Sequence, residues 1–225
     1  MPTHKELKAR QRRERDTHSP SVALRVHRAL SWLGRAEKER ADDDARFVFL
    51  WIAFNAAYAS ETHDPEMTEK RSFQTFLRAL LKLDGKGQIS YLIWREYPSS
   101  IRVLLKNQYV FADFWRHHNG LLSAAEWESR FKKSRRAAEL ALASGDTHQV
   151  LSIVLARLYV LRNQLLHGGA TWDSKVNRSQ LRDCATLLGK LVPIVIEIML
   201  DHPTHDWGPA TYPVIEEPAQ SRQRA

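Results

Sequence analysis

Between Thr147 and Leu166 an apolar side chain returns every third or fourth residue. Val150, Val154, Leu158, Leu161 and Leu165 form one stripe at that spacing. A second row, Leu151, Leu155 and Leu158, runs on to Arg162 and Leu166. A third, narrower row holds Ser152, Ala156, Tyr159, Asn163 and His167. A period near 3.6 residues commits such a segment to a helix, because alternate residues of a strand would point to opposite faces. The same period recurs at Val22, Val26, Leu30 and Leu33. In "DDDARFVFLWIAFNAAYAS" Phe47, Leu50 and Phe54 line one row, while Trp51, Asn55 and Tyr58 line another. This segment is apolar on most sides, so it is expected at the centre of the fold, with its three leading acids at the favourable end of the helix dipole. Further helices are expected at Glu69 to Leu83, Gly87 to Tyr97, Ser99 to His117, Ser123 to Ser144, Thr147 to His167 and Asn177 to His202, with Pro193 kinking or breaking the last. No alternating stretch, internal repeat, phosphate-binding glycine loop or nucleophile elbow occurs. The expectation is an all-α helical bundle.

The 225 residues divide into three parts. Residues 1–19 form a basic arm, read as a frayed or helical tail in solvent. Residues 20–202 form the helical domain, started by Ser19-Pro20-Ser21 and interrupted by a loop through His63-Asp64-Pro65. Residues 203–225 are rich in proline and carry Trp207 and Tyr212, and they are expected to lie across the body as an irregular strap. Seven tryptophans and 43% hydrophobic residues point to a packed body rather than disorder.

The formal charge is +8, a balance that favours polyanionic partners. "RFKKSRR" concentrates five cations, Arg130, Lys132, Lys133, Arg135 and Arg136, on one helix, either as a solvated face or as the rim of an RNA-binding surface. A single cysteine, Cys184, rules out an intrachain disulfide and a thiolate zinc cluster. The N-terminal charges are not followed by an apolar stretch, and "LVPIVIEIML" is about half the ~20 residues that span a bilayer. A soluble, cytoplasmic protein is therefore expected, with no membrane partner, cofactor or metal. "HPTHD", His202 to Asp206, holds metal-capable side chains but reads as a turn. His117 and His118 read as the end of a helix.

The helix from Thr147 ends in "YVLRNQLLHGGATW". Tyr159, Asn163 and His167 stack four apart, and Arg162 lies beside them at the end of an aliphatic row. An arginine on an apolar row needs a negative partner, either an acid from another helix or a phosphate. A histidine's ordinary pKa of about 6.5 puts both protonation states within reach near neutral pH, as an acid or base requires. Two readings are open. Basic residues before a glycine pair are what helix capping alone selects. The same residues also make a site for a phosphate and a proton. Trp172 and Asn177 follow in the next loop, where they shape the mouth of a cleft, or Asn177 caps the next helix.

"RNQLLH", with Arg162, Asn163 and His167, resembles the signature motif of HEPN domains, in which an arginine and a polar residue precede a histidine late in a helix. "LWIAFNAAY", Leu50 to Tyr58, is similar to an early helix of a bacterial HEPN subgroup, and "LRNQLLHGGATWDSKVNRSQL" fits the same subgroup. The resemblance covers roughly Val22 to His202. It implies a metal-independent endoribonuclease that works as a homodimer, with two motifs facing each other across a composite cleft. In that scheme His167 activates the ribose 2′-hydroxyl or protonates the leaving oxygen, Arg162 holds the scissile phosphate, and Asn163 orients groups at the site or braces the helix end. Asn55 would support it from an early helix, or serve as a core amide bonded to a neighbouring helix, and Tyr159 reads as a packing residue whose hydroxyl would support the cleft. The partners implied are RNA, a second copy and an antitoxin or effector protein, with a role as a toxin or in defence against phage. One departure stands out. HEPN toxins paired with a nucleotidyltransferase antitoxin carry a tyrosine two residues after the histidine, where this chain has Gly169, so control through that tyrosine is not supported. The rival expectation is a non-catalytic HEPN-like module that binds RNA, a nucleotide or a protein partner.

Overall fold

Asp42 starts the helix around which the others pack. Its side chain accepts the Ala45 N–H at 2.9 Å, and an α-helix runs from Asp43–Tyr58 (α3). Phe47, Leu50, Trp51, Ala53, Phe54 and Ala57 are buried, on more than one face of this helix. A helix apolar all round has to be covered on several sides. Here the cover comes from Pro20–Ala36 (α2), Thr147–Leu166 (α9) and Arg178–Asp201 (α10). This computed structural model describes residues 2–59, 69–175, 178–212 and 214. The expected loop at His63–Pro65 and the expected cap at Asn177 lie outside the described residues.

The other helices are His4–Glu14 (α1), Glu69–Leu83 (α4), Gln88–Tyr91 (α5), Pro98–Lys106 (α6), Ala112–His118 (α7) and Ala124–Ser144 (α8). Among the described residues there is no β-strand, so the chain is an all-α bundle. No helix among them is long and apolar enough to cross a membrane. No group of three or more His, Cys, Asp or Glu among them is arranged to hold a metal ion.

Several elements differ from the sequence expectation. The basic arm is a packed helix rather than a solvated tail. Thr3 and Glu6 close a capping box at its start, Leu7 and Gln11 are buried, and Arg10 reaches Asp201 of α10 at 2.5 Å. The close approach of α1 to α2 depends on Gly34, where a Cβ would sit 2.7 Å from the His4 ring. The helix expected over Ser99 to His117 is two helices. Asn107 ends α6, its side chain taking the Tyr109 N–H at 2.8 Å and donating to Gln180 of α10, and a 3-10 turn at Gln108–Val110 precedes α7. The helix expected from Gly87 becomes α5 followed by a π-turn, Leu92–Glu96. Helix α10 runs through Pro193 unbroken.

After α10 the chain turns back over α2. Trp207 is buried against Phe76, with ring centres 5.7 Å apart. Arg25, 1% exposed, donates to the carbonyls of Ala57 (2.9 Å) and Pro209 (2.8 Å). Arg28 donates to those of Thr211 and Tyr212, both at 2.6 Å. Burial pushes the Arg25 guanidinium down to about 10, against a smaller opposing influence from Asp206. Residues 203–212 are thus a strap, tied down through backbone carbonyls.

Candidate functional site

Helix α9 ends where the sequence places its basic residues. His167 is the last, half-in residue. Its backbone N–H donates to the Asn163 carbonyl at 3.0 Å, and Gly168 follows with φ of +70°. That left-handed conformation is the turn that glycine permits at a helix end. Gly169 has no such φ, and a Cβ there would stand 3.4 Å from the Gln164 carbonyl oxygen.

Arg162 and His167 are five residues apart. At about 1.5 Å and 100° per residue they stand about 7.5 Å apart along the axis and about 140° around it. Asn163 reduces that separation. Its Oδ1 accepts from Arg162 Nη1 at 2.8 Å, while Asn163 itself sits one turn below His167 in the same row. The guanidinium carbon lies 5.8 Å from the centre of the Tyr159 ring, which belongs to that row too. Arg162 is therefore drawn over the face shared by Tyr159, Asn163 and His167. Arg162 is half-buried, and its Nε–H is buried with no hydrogen-bond partner. Among the described residues no carboxylate pairs with it, unlike Arg178, Arg182 or Arg10. His167 is exposed, and its ring has no hydrogen-bond partner among the described residues. The set is a positively charged donor fork held on Asn163 and Tyr159, with an open imidazole one turn beyond Asn163.

The loop after the motif is held by the acids that start α3. Trp172 donates its indole N–H to Asp42 Oδ2 at 2.9 Å. Asp44 Oδ2 accepts from the Asp173 N–H at 3.3 Å and from Arg178 Nη1 at 2.6 Å. Asp43 pairs with Arg182 at 3.5 Å. Burial alone would raise the Asp42 carboxyl, but the Ala45, Trp172 and Asp44 donors and the Arg178 charge outweigh it and hold the carboxyl below its ordinary value. Arg178 is raised, chiefly by its hydrogen bond to Asp44. On its other side the end of α9 is tied to the 3-10 turn, where Gln164 Nε2 donates to the Tyr109 carbonyl at 2.6 Å.

Helix α3 runs against α9 in the opposite sense. Asp44 lies by the loop after α9, Trp51 meets Tyr159 with ring centres 6.1 Å apart, and Tyr58 and Ser152 line one groove. Asn55 shares the face of Trp51 and Tyr58. It is half-buried and one turn further from the motif than Trp51, so the structure does not bring it to Arg162 or His167. Tyr159 is 43% exposed and does join the motif. The five cations of α8 are exposed but not gathered at the motif. Arg130 pairs with Asp113 at 3.4 Å and Arg135 with Glu139 at 3.9 Å, and α8 meets α9 through Ser134 on Arg157. His117 Nδ1 lies 2.9 Å from the Leu122 carbonyl and His118 packs on Phe114, so both serve the end of α7. His202 Nε2 lies 3.0 Å from the Leu83 carbonyl.

Arg157 is a residue that the sequence reading passed over. It is 3% exposed, lies over Phe111 at 4.6 Å and Phe131 at 5.7 Å, and donates to Ser134 Oγ at 3.0 Å. Burial pushes its guanidinium down to about 10. The signal was present: Val150, Val154, Arg157 and Leu161 follow the four-three-four spacing of a core stripe.

Compared with family models, with curated proteins and with solved structures, the chain finds no match in any of the three.

Proposed function

We propose that the chain is a metal-independent endoribonuclease of HEPN type, acting as a homodimer with a composite site. The observation that carries this reading is Arg162. It is a half-buried cation, without a carboxylate among the described residues, drawn by Asn163 onto the row that ends in an open histidine. Its buried Nε–H lacks an acceptor, and its planar fork suits a phosphate, which would supply one. In the proposed reaction the 2′-hydroxyl loses its proton to a general base and attacks the adjacent phosphorus. The bond to the 5′-oxygen breaks, that oxygen takes up a proton, and a 2′,3′-cyclic phosphate remains. His167 is the group that moves a proton, and Arg162 neutralises charge growing on the phosphoryl oxygens. Two copies would place two histidines and two arginines at one phosphate, so that one imidazole takes the proton and the other gives one.

The test is cleavage of a mixed RNA pool in EDTA by wild type and His167→Ala, with a matched DNA pool and mapping of product ends. The reading requires cyclic-phosphate ends from wild type, intact DNA and a fall of about 10²–10⁴-fold in the variant. Equal cleavage by both proteins would refute it. The second reading, a non-catalytic module binding RNA, a nucleotide or a protein partner, is favoured by the ordinary way in which His167 and Gly168 close the helix. It predicts binding without cleavage, and little change in binding on His167→Ala.

A further inference from the structure

The face of α9 that carries Tyr159 continues, away from the motif, into an open groove with a cavity volume of about 390 Å³. Trp51, Tyr58, Phe73 and Tyr159 supply aromatic walls, and Ser152 and Gln74 supply polar groups. The rings are braced rather than loose: Tyr58 and Phe73 meet edge to face at 5.2 Å, and Trp51 meets Tyr159 at 6.1 Å. Trp51 is 4% exposed, and its indole N–H is buried without a hydrogen-bond partner. Ser152 donates to Gln74 Oε1 at 3.2 Å, which fixes the carbonyl side of the amide and leaves its NH₂ donors for something else.

We propose that this groove holds one unstacked nucleobase of a single-stranded RNA whose phosphate lies on Arg162. The proposal rests on the ribonuclease reading, since it takes Arg162 as the phosphate anchor. Tyr159 carries it: one ring borders the groove and stands 5.8 Å from the Arg162 guanidinium, so an anionic and a flat apolar part of one ligand are served side by side. The volume falls in the range of sites for small planar ligands, and single-stranded RNA is recognised by splaying bases onto aromatic side chains. The Gln74 amide at one end of the groove then meets the hydrogen-bonding edge of the base. The class of ligand is a nucleotide unit of RNA, in which base and phosphate are both needed.

The experiment uses the full chain carrying His167→Ala, so that RNA stays intact, in EDTA. Its affinity for a fluorescein-labelled single-stranded oligoribonucleotide is compared with that for an abasic ribose-phosphate oligomer of the same length. One stacked base should make the base-bearing strand bind about tenfold to a hundredfold tighter. Ala156 is exposed and lines the groove, so adding Ala156→Trp fills it from outside the core. This variant should lose the difference between the two oligomers and keep the abasic affinity, with an unchanged melting curve. Gln74→Ala should keep the stacking gain and alter the preference among the four homopolymers. Equal binding of the two oligomers overturns the proposal, as does a difference that survives in Ala156→Trp. So does a sedimentation result in which Ala156→Trp splits a dimer, because the groove is then a contact between copies. The two readings fail separately: base discrimination without cleavage by wild type keeps the subsite and sinks the nuclease, and cleavage without base discrimination does the reverse.

Discussion

Replacing Asp44 by alanine removes the acceptor that ties the loop after the motif to the start of α3. Asp44 Oδ2 takes Arg178 Nη1 at 2.6 Å and the Asp173 N–H at 3.3 Å, and the two paired side chains are 11% and 20% exposed. An exposed ion pair is worth about 0–1 kcal/mol, and removing one partner of a fully buried pair costs about 3–5 kcal/mol. This pair is sheltered but open at one edge, and Arg178 keeps Asp173 at 3.4 Å and the Ser174 carbonyl at 3.0 Å, so Asp44→Ala should cost about 2 kcal/mol. In a double-mutant cycle with Arg178→Ala the coupling should be about 1.5 kcal/mol, read from urea denaturation followed by circular dichroism. Amide exchange at Asp173 should quicken in Asp44→Ala while the α3 and α9 amides stay protected. A coupling below about 0.5 kcal/mol, with unchanged exchange at Asp173, would make the pair a surface contact and remove the argument that α3 positions the loop.

Gly168→Ala should cost about 1–2 kcal/mol, because φ there is +70°, whereas Gly169→Ala should stay within about 0.5 kcal/mol. The two denaturation midpoints compared side by side decide it, and equal costs would refute the assignment of the turn. Acid should loosen both ends of the structure. Burial raises Asp201, but its bonds from Arg10 and Lys86 outweigh that, so Asp201, like Asp42, is held below the ordinary 3.8. The stability from a depressed carboxyl is complete above 3.8 and is lost as pH falls through its folded-state value. Unfolding free energy should therefore be level from pH 7 to about 5 and decline below about 4, less steeply in Asp201→Asn than in wild type.

The elements that the sequence specifies well are those whose apolar period and end signals agree. Asp42 before α3, Ser123 before α8, and Gly145 with Asp146 between α8 and α9 mark ends that the structure places within a residue or two. The segment from Ser99 to His117 misleads because "IRVLLKNQYVFADFW" keeps a helical period across Asn107. What breaks it there is a hydrogen bond to Gln180, 73 residues away. Helix α1 hides for a different reason. Its composition is so basic that only Leu7 and Gln11 mark a buried side, although Thr3 and Glu6 already have the spacing of a capping box. At the site, the row of Tyr159, Asn163 and His167 follows from spacing alone. The bond from Arg162 to Asn163 depends on a rotamer, and the hold of Asp42 and Asp44 on the loop depends on pairs about 130 residues apart, which no local pattern encodes.

The strap over α2 sets the order in which a newly made chain can finish folding. Arg25 leaves the ribosome well before its partners are complete, because one of its two bonds waits for the Pro209 carbonyl, 184 residues later. At about 5–20 residues per second that interval is about 10–40 s. Until it ends, α2 cannot close over a satisfied guanidinium, and α1 lacks the Asp201 contact, which comes 191 residues after Arg10. The packing of α1 and α2 against the end of α10 and the strap is therefore completed only after those later residues are made.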